Sequence, residues 1–199
     1  MIDSKMITFL SLLALLCVAF LVVTIPLSIY CLIRRSVPEW LRPVRDGIGE
    51  VALWLAFAVA ATTMFGSLWL SEAEKLPPCI LCWYQRIAMY PNALILGIAA
   101  VRRDVSVRWY SLPLVVIGAC ISTYHYLEER FPESISTTCD TDVPCSTVWI
   151  WKYHFLSIPG MAWVAFVTIA VLLLLARPAA RRSGSTDTVD TATEAELTR

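Results

Sequence analysis

Residues 51–70, VALWLAFAVAATTMFGSLWL, run for twenty positions without a charged side chain. A helix of about that length, rising 1.5 Å per residue, crosses the ~30 Å hydrocarbon core of a bilayer. Met6 to Ile33, Trp109 to Leu127 and Phe155 to Ala176 share the property. A fifth stretch, Ile87 to Val101, is too short alone and reaches spanning length only by starting near Ile80 and carrying Arg86 into the membrane edge. An ionisable group so placed is costly, which points to a purpose. Composition agrees: 58% of the 199 residues are hydrophobic and 16% charged, too apolar for a soluble domain of this size. The expected fold class is all-α, a polytopic membrane protein in which a four-helix transmembrane bundle follows one additional N-terminal transmembrane helix.

The first span is much longer than the apolar region of a signal peptide and lacks an A-x-A-like cleavage site, so it reads as a helix that Pro26 kinks rather than ends. Basic residues gather in alternate connections: Arg34, Arg35, Arg42 and Arg45; Arg102, Arg103 and Arg108; Arg177, Arg181 and Arg182. The positive-inside rule makes these cytoplasmic. The other side holds Lys5, Lys75, Arg130 and Lys152 among the acidic Asp3, Glu72, Glu74, Glu128, Glu129, Glu133, Asp140 and Asp142. Five spans with the N-terminus outside satisfy every connection.

Three segments follow: 1–50, the additional helix and a cytoplasmic linker; 51–176, the four-helix membrane domain; and 177–199, a tail rich in Ser, Thr, Asp and Glu that is expected to be disordered. No internal repeat, phosphate-binding loop or nucleotide fingerprint occurs. The zero net charge gives no support to nucleic-acid binding.

Of seven cysteines, Cys17, Cys31 and Cys120 fall inside apolar spans and read as small hydrophobes. Cys79, Cys82, Cys139 and Cys145 fall on the outer side, where disulfides persist. Pro77-Pro78-Cys79-Ile80-Leu81-Cys82 sets a Cys-x-x-Cys pair at the start of the third span. That places Cys82 near a helix N-terminus that favours a thiolate, with Arg86 one turn later on the same face. Zinc sites use the same spacing. Cys139-Asp-Thr-Asp-Val-Pro-Cys145 closes a small polar loop, which alone reads as a structural disulfide. Beside a second pair on the same face it reads as a partner in exchange, since thiol–disulfide relay needs only thiolates and access. With no flavin or nicotinamide motif present, a bilayer-dissolved quinone is the natural acceptor for the electrons.

The run Cys79-Ile80-Leu81-Cys82-Trp83-Tyr84-Gln85-Arg86 at the mouth of a span, the outer cysteine pair, and then Trp149 and Ile158-Pro159 leading into the last helix, resemble the DsbB/BdbC family of membrane disulfide-forming proteins. The resemblance covers roughly Val51 to Ala176. It implies a four-helix bundle in the bacterial inner membrane, its cysteine pairs extracytoplasmic, that oxidises a DsbA-like thioredoxin-fold protein and reduces ubiquinone or menaquinone. In that pattern Cys79 and Cys82 are the quinone-side pair, Arg86 contacts the quinone, Cys139 and Cys145 meet the soluble partner, and His125 lies near the quinone. Read by itself, His125 equally suits an interfacial histidine beside Tyr124 and Tyr126. Two features depart from the pattern: the extra first span, and the close spacing of the outer pair, which follows the BdbC-like members. The aromatic run Trp149, Ile150, Trp151, Tyr153 and Phe155 reads as an interfacial belt or a short surface helix.

Two alternatives stand beside this reading. The four outer cysteines suit a tetrahedral zinc site in a structural membrane protein. A vitamin K epoxide reductase-like enzyme also uses two cysteine pairs, although there the membrane pair follows the loop pair in sequence.

Overall fold

A computed structural model describes residues 4–34, 38–132, 144–153 and 156–177. Among these residues the chain forms five α-helices: α1 (Ser4–Arg34), α2 (Arg42–Glu72), α3 (Ile80–Arg102), α4 (Arg108–Arg130) and α5 (Ile158–Leu175). Pro26 lies within α1 without ending it. The second helix starts at Arg42 rather than near Val51, because Pro43 sits in its first turn, where the missing N–H costs nothing and the fixed φ suits a helix. The linker before it is correspondingly shorter than expected. The tail from 178 onward and Cys139 lie outside the described residues.

In the bundle, α2 packs on α3 and α5, and α4 packs on the same two helices, while α1 lies along α5. Ala52, Ala56 and Ala60, spaced one turn apart on α2, are fully buried. Small side chains at this spacing let helices approach closely where no hydrophobic drive exists between them in lipid. Gly118 serves the same end on α4, since an added Cβ would run into the ring of the fully buried Phe166 of α5. A polar clamp joins α3 to α4: Ser111 Oγ donates to Asn92 Oδ1 at 2.5 Å, and Asn92 Nδ2 donates to the Ala88 carbonyl at 2.8 Å.

Four helices are long and apolar enough to cross a membrane by length and composition among the described residues, namely α1, α2, α4 with its preceding turn, and α5. The exception, α3, matches α4 at 23 residues and lies between α2 and α4. What lowers its apolarity is Gln85, Arg86 and Asn92, two of which belong to the site below. The expected all-α polytopic membrane fold is the observed one.

Connections alternate between the two ends of the bundle. At one end Ile7, Leu70 and Ile150 form a small core with Leu76 and Ile158, and Lys152 Nζ donates to Thr8 Oγ1 at 2.6 Å. At the other, Arg177 Nη1 meets Asp46 Oδ1 at 2.6 Å and the Arg177 N–H donates to the Gly49 carbonyl at 3.2 Å. The start of α1, the α2–α3 connection and the approach to α5 therefore share one end, which carries Cys79, Cys82 and Cys145.

Candidate redox-active site

The turn that presents Cys79 is built by local rules. After α2, Lys75 takes a positive φ of 56°, and the Leu76 N–H reaches back to the Leu70 carbonyl at 3.1 Å. Pro77 and Pro78 then hold the chain extended. Cys79 arrives as the N-cap of α3 at φ −69°, ψ 171°, its sulfur accepting from the Cys82 N–H at 3.4 Å in the manner of a serine cap.

The two sulfurs of this pair are 3.1 Å apart, in hydrogen-bonding contact as free thiols. His125 of α4 brings Nε2 to 3.7 Å from Cys79 Sγ. On the far side of the ring, Gln85 Nε2 lies 3.0 Å from His125 Nδ1. With the amide donating to Nδ1, the ring proton sits on Nε2 and points at the sulfur. All three side chains are buried, so His125 is an interior group between Gln85 and Cys79 rather than an interfacial one.

The Cys79 thiol, which precedes the membrane-spanning α3, is pulled down to about 4. The hydrogen bond from Cys82 is the largest cause. Burial opposes it, and the hydrogen bond from His125 reinforces it. The sequence reading gave the helix-stabilised thiolate to Cys82. In the fold Cys79 is the capping residue and turns its own side chain onto the free N–H groups of the first turn, and Cys82 supplies one of those N–H groups.

Arg86 lines the same cavity as Cys82 but spends its fork on α2. Nε donates to Ser67 Oγ at 3.0 Å, and Nη2 donates to the Ser67 carbonyl at 3.0 Å and to Ser71 Oγ. Its guanidinium also stacks on Trp83, 5.3 Å from the ring centre. It is thus an interhelical tie in the lining of the cavity.

Cys145 is disulfide-bonded and packs with Cys79, Leu81 and Cys82 in one buried cluster. This brings a disulfide of the connection before α5 against the membrane-mouth pair. Cys79 Sγ, Cys82 Sγ and a His125 nitrogen lie within 4.8 Å of one another, a spacing that also suits a thiophilic ion. The all-thiolate alternative fails here, because a disulfide-bonded Cys145 offers no thiolate.

The cavity has a volume of ≈ 290 Å³, with Cys79, Cys82, Arg86, Tyr90, His125 and Glu129 at its polar part. Sequence reasoning missed Gln85, Tyr90, Glu128 and Glu129. It placed both glutamates among the outer acidic charges, yet both are buried on the last turn of α4. The available signal was spacing: Gln85 and Tyr90 follow Cys82 on nearby turns of one helix, and Glu128 and Glu129 follow His125 by three and four residues. The aromatic run from Trp149 is not helical: Lys152 pairs with Leu156 as an antiparallel bridge, Trp149 lines the cavity, and Arg130 stacks on Trp151 at 4.4 Å. Phe155 lies outside the described residues.

Comparison with known proteins matches residues 49–176 to the family model of the disulfide bond formation protein DsbB. Disulfide bond formation protein C of Bacillus subtilis (strain 168) is 47% identical over 126 residues, 63% of this chain and 91% of the relative. Probable disulfide formation protein C 1 of Bacillus anthracis is 45% identical over 129 residues, 64% and 92% of the two chains. A probable disulfide formation protein C of Halalkalibacterium halodurans is 44% identical over 124 residues, 61% and 88% of the two chains. No solved structure matches the chain at a significant level.

Proposed function

The chain belongs to the DsbB family of disulfide bond formation proteins, and from that premise we propose that it reoxidises a DsbA-like thioredoxin-fold protein and passes the electrons to a membrane quinone. It is a multi-pass membrane protein and a disulfide oxidoreductase; its setting in this proposal is the bacterial cell membrane, with the cysteine end extracytoplasmic. The observation that carries the reading is the packing of the disulfide-bonded Cys145 against Cys79 beside a cavity lined by Cys82, Arg86 and His125.

The relay runs in balanced steps. A thiolate of the reduced donor attacks Cys139 of a Cys139–Cys145 disulfide, forming the donor–Cys139 bond and releasing Cys145 as a thiolate. Cys145 attacks Cys79, breaking the Cys79–Cys82 disulfide and leaving Cys82 as the thiolate. The donor's second thiol loses its proton and closes the donor disulfide, releasing Cys139, which attacks Cys145 and releases Cys79. The donor has lost two electrons, the outer disulfide is restored and the inner pair is a dithiol. A leaving thiolate departs faster the better it is stabilised, so the His125 Nε2–H beside Cys79 Sγ favours this last release.

The cavity suits a flat acceptor with an apolar body. Polar side chains such as Arg86 and Tyr90 share its lining with apolar ones such as Val59, Met89 and Ala162, and the buried Tyr90 hydroxyl on its wall has no hydrogen-bond partner among the described residues. When bound, a quinone supplies the two-electron, two-proton acceptor that the inner dithiol needs. Arg86 and Tyr90 would hold it, and His125 would hold the proton nearest Cys79.

The test is anaerobic: purified protein, mixed with a reduced thioredoxin-fold donor and one defined quinone, is expected to yield one quinol per donor disulfide. Failure with both ubiquinone and menaquinone overturns the reading. Stoichiometric zinc in place of activity would favour a structural metal site.

In the same assay Arg86→Lys is expected to raise the quinone KM about tenfold, because lysine lacks both the planar surface and the fork by which Ser67 and Ser71 hold Arg86 in the cavity lining. Expression and the Cys145 disulfide should survive. An unchanged KM in the folded variant would reduce Arg86 to a tie between α3 and α2.

A further inference from the structure

The helix that precedes the family-matched residues 49–176 has no part in the cysteine chemistry, yet it forms part of the cavity. Leu10, Leu13, Ala14 and Cys17 of α1 all line it. These positions are spaced i, i+3, i+4 and i+7, which is a single stripe along one helical face. The opposite face points away from the bundle: Leu12 is 51% exposed and Leu16 67%, against 8% for Ala14.

Other contacts seat α1 in that position. Ile7 is buried against Leu70 and Ile150, Lys152 ties Thr8 to the approach to α5, and the Leu10 side chain fills the space where Gly66 of α2 has no Cβ. Gly66 lets α1 come close enough to close the cavity along α2. Where α1 stands, a bundle of α2 to α5 alone would open this flank of the cavity to lipid.

We propose that α1 is a built-in wall of the acceptor site, its Leu10, Leu13, Ala14 and Cys17 face holding the apolar tail of the quinone. The inference rests on the acceptor reading above and adds to it the residues of this chain that meet the tail. In this role α1 sets how tightly an apolar carrier is held and by which flank it enters.

The direct test uses the unaltered full-length protein and a ubiquinone or menaquinone analogue with a photoreactive group on its tail, the labelled peptides being mapped by mass spectrometry. Labelling of residues 10–17 that excess unlabelled quinone suppresses is the expected result. Suppressible labelling confined to α2 to α5 overturns the role of α1 and leaves the acceptor reading intact. No suppressible labelling anywhere overturns the acceptor reading and this inference together.

A pair of variants gives an independent readout. Ala14→Trp should weaken binding of the analogue about tenfold, the cost of losing burial of roughly two methylene groups, while Leu16→Trp on the outer face should leave it unchanged. In both variants one equivalent of reduced donor should still be oxidised in a single turnover, which shows that the bundle has folded. Equal binding by the two tryptophan variants overturns the proposal.

Discussion

A Cys145→Ser protein is expected to lose oxidation of the thioredoxin-fold donor down to the rate without protein, while a small membrane-permeant dithiol still drives quinone reduction. The two arms separate because the relay is serial. Cys145 is the sulfur that packs against Cys79, so without it electrons from a protein donor have no route to the buried pair. A small dithiol needs no such route, since it can enter the cavity that Cys79 and Cys82 line and exchange there directly. Cys79→Ser is the complementary variant and should abolish quinone reduction from both donors, because the inner disulfide can no longer form. The measurement is quinol formation with each donor in the absence of oxygen. Equal loss of both activities in Cys145→Ser would break the serial order, and full donor oxidation in that variant would remove the outer pair from the mechanism.

The second large effect lies in the titration of Cys79. In the reduced protein its thiolate should persist as pH falls and disappear only as pH passes through about 4. An ordinary cysteine, with a pKa near 8.5, is already less than about 1% thiolate at pH 6. The sign follows from a folded value depressed below the unfolded one. The contribution of this group to the stability of the reduced fold is complete above the unfolded value, shrinks as pH falls and is gone below about 4. Because stabilising the reduced thiolate raises a pair's oxidising power, the same environment makes Cys79–Cys82 a better oxidant of Cys145.

Rates of alkylation at Cys79, read peptide by peptide across pH, check this. They should stay level from pH 8 to pH 6, where those of a free cysteine in a short reference peptide fall about tenfold per unit. Cys82→Ala should move the Cys79 transition upward further than His125→Ala, matching the order of the causes. A Cys79 profile that follows the reference peptide would remove the thiolate from the N-cap.

The membrane fold was legible because its determinants are local. Twenty uncharged residues span a bilayer whatever surrounds them, since each buried backbone group is satisfied within its own helix and each charge is excluded by its own solvation cost. Even the ambiguous third span declared itself through Arg86, whose cost in a membrane edge falls on one residue. The cysteine pairs were legible for the same reason: spacing and the placing of a helix start are properties of a few consecutive residues.

The rest depended on how helices are rotated and seated against each other, which no local rule contains. Cys79 and His125 are 46 residues apart in sequence and Gln85 and His125 are 40 apart, yet they meet in one buried line. Their meeting, with the cap geometry, pulls the Cys79 thiol down. Glu128 and Glu129 looked like loop charges because their burial comes from neighbouring helices, and the wall that α1 adds to the cavity needed Gly66 of α2 to admit Leu10. The sequence by itself determined that this chain crosses a membrane as helices and that a Cys-x-x-Cys pair stands at the start of one of them. Only the tertiary structure decided which side chains surround the Cys79 sulfur and which helix closes the cavity beside it, because both follow from side chains of different helices meeting at fixed distances.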